Sequence, residues 1–339
     1  MRQTAKLLLY APLTLLLIEN VLVGFYWMGS IRVQEFPAPP SFRPPRRLTL
    51  AELTTSSNKD CQSPLLHIDN YQIFLPQTAS SSKRIPHIIH QTSKSRCVTP
   101  RLAKAIQTWQ TWSEWEYYFH DDEAVARLFQ QSAQQFPLLS DLYPHCLVHG
   151  TVRADLWRYL ILWEYGGVYA DLDAVPASFT TDWLENNDAF FVIEQYHLLS
   201  QYFIAVTPRH PLMWYAIQVS LSNLWKLSDT GGVAAAVTTG PHALHQAFIL
   251  FAKDGGLIID PARPGEKPVK AGTYVGTQGR SVTAVGVAER QNEIIDRDVL
   301  GNFKKRDYDR MNMTFHQDDK KKLLGKACFA AIRESKFGK

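Results

Sequence analysis

The run RADLWRYLILWEYGGVYADLD, from Arg153 to Asp173, constrains the fold more than any other stretch of the chain. Val152, Leu156, Trp157, Leu160, Ile161 and Trp163 recur at helical spacing and predict a helix over 151–165. Thr151 can cap its start, because a hydroxyl can accept from early helical amides. Gly166 and Gly167 supply the positive φ that stops a helix. Residues 168–172 then read as a short strand. Side chains alternate across a strand, so Tyr169, Asp171 and Asp173 fall on one face and Val168, Ala170 and Leu172 on the other. The spacing sets two carboxylates side by side where the strand ends. A hard divalent cation such as Mn²⁺ or Mg²⁺ prefers oxygen ligands of that kind. Asp155 and Arg158 lie three apart on one face of the preceding helix. They form either a solvated ion pair of about a few tenths of a kcal/mol or a polar rim aimed at the same cleft.

The other elements fit the same class. IPHIIHQT, residues 85–92, reads as a first strand, 100–112 as a helix, and 115–119 as a second strand. His120-Asp121-Asp122 opens a helix that runs to about 135, with acidic residues favoured at its N-terminus. Residues 189–194 and 201–207 read as strands, followed by helices over 212–225 and 242–252, the second entered through Thr239-Gly240-Pro241. Strands alternating with helices predict an α/β fold with a mainly parallel sheet flanked by helices. Ligands of such sheets bind beyond the carboxyl ends of the strands, where Asp171 and Asp173 stand. Residues 253–300 carry many Gly, Pro and charged residues around one possible strand at 257–259.

The flanks bear on location. Residues 7–29 are mostly apolar and close to the ~20 needed to span a bilayer. Arg2 and Lys6 precede them, which favours a cytoplasmic N-terminus. The reading is a cytoplasmic tail (1–6), a type II signal anchor (7–29), a Pro-rich stem (30–83) and a catalytic domain (84–339). A cleaved signal peptide is the rival for the first segment. A formal charge of +4 in 339 residues is too mild to indicate nucleic acid. None of the four cysteines, Cys61, Cys97, Cys146 and Cys328, sits in a C-x-x-C pair. A zinc or redox motif is therefore disfavoured, and three disulfide pairings stay open.

The Arg153–Asp173 run resembles the signature of glycosyltransferase family 32 and, more distantly, the sugar-transferring domain of the large clostridial toxins. That resemblance implies a GT-A nucleotide-diphospho-sugar transferase fold and a retaining sugar transfer. Asp171 and Asp173 would hold Mn²⁺ or Mg²⁺, joined by His316, although the Ser-Trp step usual after that histidine is missing here. Asp155 and Arg158 match positions that contact the donor sugar or ribose, and Tyr169 belongs with this nucleotide-sugar set. His90 and Gln91 match an opening strand under the nucleotide and are candidates to line its pocket. The branch that adds α-1,6-mannose to N-glycans is the nearest in character, so GDP-mannose and a glycan acceptor in the Golgi are expected. Transfer to a sphingolipid headgroup is the alternative. An inactive transferase fold that binds glycans or serves assembly is the alternative of another class.

Overall fold

The structure, a computed structural model, describes residues 36–40, 47–56, 60–71, 85–143, 147, 150–226, 235–256, 269–313 and 334. The expected anchor at 7–29, the strand at 257–259, Cys146, Cys328 and His316 lie outside them. No helix among the described residues is long and apolar enough to cross a membrane. The chain divides into two units, 1–38 with 262–266, and 39–261 with 267–339. Everything below belongs to the second.

Its centre is a seven-stranded sheet. The strands are β1 (Ile88–Thr92), β2 (Glu116–His120), β3 (Gly167–Ala170), β4 (Ala189–Ile193), β5 (Leu199–Val206), β6 (Gly272–Val275) and β7 (Ser281–Val285), in spatial order β2-β1-β3-β5-β4-β7-β6. β1 pairs parallel with β2 and β3, and β4 with β7, while β5 and β6 run against their neighbours. Five strands therefore share a direction, as a mainly parallel sheet requires. Helices α1 (Pro100–Gln110), α2 (Asp122–Ser132), α3 (Gly150–Tyr165), α4 (Pro211–Lys226) and α5 (Pro241–Lys253) flank it, and a short α6 (Lys304–Arg310) follows. Leu102, Ala105, Ile106 and Trp109 of α1 are buried, as their spacing predicts. β6 and β7 lie in the Gly- and Pro-rich region where no strand beyond 257–259 is expected, and Ser-Val-Thr-Ala-Val of β7 alternates in burial as a half-covered strand should.

The junction between α3 and β3 fixes the site. α3 begins at Gly150, so Thr151 sits inside the first turn and not at its cap. Gly166 and Gly167 have φ of 66° and 95°. A Cβ on Gly167 would stand 2.5 Å from the Ile88 carbonyl oxygen. Gly167→Ala should therefore cost about 2–5 kcal/mol, combining left-handed strain with a backbone clash that cannot relax cheaply. Chemical denaturation of the variant against the parent checks it, and a loss below 1 kcal/mol, a marginal effect, would contradict it. β3 ends at Ala170, two residues before the expected end, because the chain turns there: Asp171 N donates to Tyr202 O (2.8 Å) and Ala174 N to Asp171 O (3.0 Å). Trp109 Nε1 donates to Ala174 O at 2.8 Å from the core, pinning the far side of that turn.

The folded unit starts well before residue 84. Leu53 and Ile68 are buried, and Leu66–His67 pairs antiparallel with Cys97–Val98. Cys61 and Cys97 form a disulfide, which settles one of the open pairings. The buried Arg96 draws the segment in. Its Nη2 donates to Thr54 O and Phe119 O (both 2.7 Å) and its Nη1 to Ile68 O (3.0 Å). Residues 47–56 and 60–71, expected to belong to the stem, are packed against the domain. Their signals went unread because the tie is made to backbone carbonyls, which any sequence carries.

Candidate active site

A cleft of about 900 Å³ opens at the carboxyl edge of the sheet. Thr92 ends β1 and Ser93 and Lys94 follow it, Asp122 follows β2, Asp171 and Asp173 follow β3, and Glu194 follows β4; all line it. This is the edge where ligands of doubly flanked sheets bind.

Asp155 and Arg158 rise from α3 into its floor. They are 3% and 7% exposed, so the solvated surface pair is excluded. Arg158 Nη2 lies 3.3 Å from Asp155 Oδ1 and 3.6 Å from Asp171 Oδ1, and its Nη1 donates to Gln201 O at 2.9 Å. Its guanidinium carbon stands 4.6 Å over the Tyr169 ring. Tyr169 in turn donates its hydroxyl to Asp171 Oδ1. Thr239, from the turn before α5, donates Oγ1 to Asp155 Oδ2 at 2.7 Å. Burial pushes Asp155 up to about 6 against the pull of Arg158. Burial opposes charge on Arg158 too, but Tyr169, Asp171 and Asp155 outweigh it and hold the guanidinium protonated. The result is a fixed cation beside the acidic pair.

Asp173 is buried, and Lys304 Nζ of α6 stands 2.6 Å from its Oδ2. Burial raises the Asp173 carboxyl above its ordinary range, Lys304 lowers it, and Asp171 raises it again. Tyr308, one turn along α6, also hydrogen-bonds Asp173. Arg101 docks this helix to α1 through Asp307, with Nε 2.9 Å from Oδ2. Lys304 is a site residue that sequence reasoning missed. It comes from far along the chain, and a lysine on a short polar helix carries no local signal.

His90 and Gln91 do not line the cleft, and both are fully buried. His90 Nε2 donates to Gly166 O at 3.0 Å, which leaves Nδ1 to accept from His120 Nε2 at 3.2 Å. Burial pushes His90 down to about 3, so the ring is neutral and structural. Gln91 holds the acidic turn from beneath: Nε2 donates to Asp171 O at 3.0 Å, and Oε1 accepts from Tyr117 at 2.9 Å. The resemblance brought these residues to the correct strand, but the ligand edge lies one to three residues further on. Arg153 pairs with Asp122 at 3.4 Å on the rim of the cleft.

The donor set fits a divalent cation. Both carboxylates offer hard oxygens, and Asp171 keeps about a third of its side chain accessible (32%). The cluster of Cys61, Cys97 and His67 is no rival, because its thiols are joined to each other.

Residues 76–190 match the family described as "Glycosyltransferase sugar-binding region containing DXD motif". Inositol phosphoceramide mannosyltransferase 3 of Schizosaccharomyces pombe is 33% identical over 116 residues, covering 33% of this chain and 30% of that protein. Initiation-specific alpha-1,6-mannosyltransferase of Candida albicans is 31% identical over 112 residues, covering 32% and 29%. The protein of that name from Schizosaccharomyces pombe is 25% identical over 202 residues, covering 51% and 49%. The chain thus spans from under a third to about half the length of these relatives. Among solved structures, PaToxG Glycosyltransferase is similar at a TM-score of 0.33 and 15% identity, over 49% of this chain and 68% of that one. The resemblance to glycosyltransferase family 32 carried by the Arg153–Asp173 run is borne out by the family match and the mannosyltransferase relatives.

Proposed function

We propose that this chain, whose residues 76–190 are a DXD-containing glycosyltransferase sugar-binding region, is a metal-dependent retaining hexosyltransferase of GT-A type. In this reading it moves mannose from GDP-mannose to a glycan acceptor. One observation carries the proposal. Two carboxylates and two cations, Asp171, Asp173, Arg158 and Lys304, converge at the carboxyl edge of an α/β sheet. A nucleotide-sugar leaves as a diphosphate whose negative charge grows as the bond to the sugar breaks. Mn²⁺ or Mg²⁺ on Asp171 and Asp173, joined by His316, would act as a Lewis acid on that diphosphate.

The chain's own residues supply the rest. Arg158 is held rigid by Asp155, Gln201 and Tyr169, so its charge is preorganised and needs no rearrangement when the leaving group charges. Lys304 adds a second cation at the same edge. Asp155 is kept from swinging by Thr239 and Arg158, and accepts from hydroxyls of the donor. The acceptor's proton passes to the departing phosphate on the same face, which preserves anomeric configuration without a protein nucleophile.

The names of the relatives support mannose as the sugar, and one of them supports an inositol phosphoceramide headgroup as the alternative acceptor. The Cys61–Cys97 disulfide supports an oxidising, lumenal setting, in line with Golgi residence behind a type II anchor at 7–29. The buried, charge-balanced site argues against an inactive glycan-binding fold, because unused buried charges are costly to keep.

The test uses residues 39–339 produced in a secretory host. GDP-mannose, UDP-galactose, UDP-glucose and UDP-N-acetylglucosamine are each supplied with N-glycan or inositol phosphoceramide acceptors, with Mn²⁺ or with EDTA. We expect GDP release from GDP-mannose, abolished by EDTA, and an α-linked product by NMR. Turnover of a UDP-sugar alone would overturn the donor. Folded protein that turns over none of the donors would leave the glycan-binding alternative.

A further inference from the structure

The geometry points to Glu194, Tyr196 and Arg297 as a subsite for the acceptor, a polyol ring that is either the end of a glycan or an inositol headgroup; this rests on the sugar-transfer reading above. Glu194 follows β4 at the cleft edge. Its side chain is only 5% exposed, yet it lines the cleft. Oε1 has no hydrogen-bond partner among the described residues, and Oε2 lies 3.9 Å from Arg297 Nη1. A buried carboxylate oxygen without a donor is costly, so a site that keeps one is built to receive a donor. Arg297 is stacked at 5.2 Å on the Tyr202 ring, whose own hydroxyl also lacks a partner. Burial pushes Glu194 up to about 7 against the pull of Arg297, another sign that its oxygens are under-satisfied. Tyr196, two residues on, is 66% exposed and lines the same cleft. A planar ring beside hydrogen-bond acceptors suits a sugar or inositol, which has apolar C–H faces and hydroxyls at its rim.

Position separates this subsite from the donor's. β5 lies between β3 and β4, so Glu194 stands two strands, about 10 Å, from the Asp171 strand. A hexose on a diphosphate at Asp171 occupies that gap, and what reaches Glu194 lies beyond the transferred sugar. The donor floor of Asp155, Arg158 and Gln201 is already paired, whereas Glu194 Oε1 and the Tyr202 hydroxyl have no partner among the described residues.

Two readouts test it with residues 39–339. A mannose-terminated oligosaccharide and inositol phosphate are titrated separately by calorimetry into protein holding GDP and Mn²⁺. Acceptor and donor KM are then measured for the parent, Tyr196→Ala and Glu194→Gln. Both variants should weaken the bound polyol about tenfold in Kd and in acceptor KM, while donor KM moves less than about twofold. Tyr196 is exposed, so its variant should keep the parent's melting temperature and serves where Glu194→Gln does not fold. Whichever polyol binds the parent names the acceptor class. Neither polyol binding the parent, unchanged Kd in Tyr196→Ala, or a donor KM that rises in step with the acceptor's would overturn the subsite. The calorimetry needs no turnover, so failure of the transferase reading shows separately as absent turnover with binding intact.

Discussion

Replacing Asp171 and Asp173 together by asparagine is expected to reduce sugar transfer by about a thousandfold or more and leave the fold standing. The size follows from losing Lewis-acid stabilisation worth several kcal/mol, at 1.36 kcal/mol per tenfold. The fold survives because asparagine keeps the volume and the strongest neighbours remain satisfied. Arg158 still faces Asp155 and the Gln201 carbonyl. Lys304 is about a third exposed (34%) and can turn to water. The turn itself is held by backbone bonds from Asp171 and Ala174 and by Gln91 beneath. Turnover and melting temperature measured on the same sample check both halves. Transfer retained within tenfold would remove the acidic pair from the chemistry.

Arg96→Met should lower stability by about 3–5 kcal/mol, because it strands the carbonyls of Thr54, Ile68 and Phe119 and the Asp121 carboxylate inside the protein. Against a typical total of about 5–15 kcal/mol, that is a large fraction. Removing residues 39–83 should do worse. It takes away the Thr54 and Ile68 carbonyls that hold Arg96, the buried Leu53 and Ile68 side chains, and also the Cys61–Cys97 link, whose closure over 36 residues is worth about 3–4 kcal/mol in the chain-entropy account. Denaturant midpoints for the parent, the Arg96→Met variant and residues 84–339 give the order. A shortened chain as stable as the parent would show that the N-terminal segment is a tether and not part of the core.

What the sequence made legible was whatever lies close together in it. The α3–Gly-Gly–β3 unit is continuous, so its helix period, its glycines and its acidic end could be read in one pass. Asp155 and Arg158 were visible because three residues along a helix is a spatial neighbourhood. Glu194, Arg297 and Lys304 were not, since nothing local distinguishes them and only the sheet order sets β4 next to β5 and two strands from β3. His90 and Gln91 were misplaced by a different cause. β1 is covered on both faces, so alternation along it separates two buried layers and says nothing of the cleft. β6 and β7 went unread because their strands are short and set among the glycines, prolines and charges of 253–300. The expected strand end at Leu172 was late because backbone bonds to Tyr202 and within the turn bend the chain after Ala170.

The central claim is that the carboxyl edge of this sheet binds a nucleoside diphosphate through a cation on Asp171 and Asp173. Calorimetric titration of GDP into residues 39–339, with and without Mn²⁺, tests it without needing the acceptor. The account predicts binding that requires Mn²⁺ and is lost in the Asp171→Asn/Asp173→Asn protein. GDP binding of equal strength in EDTA, or in the double variant, would contradict it.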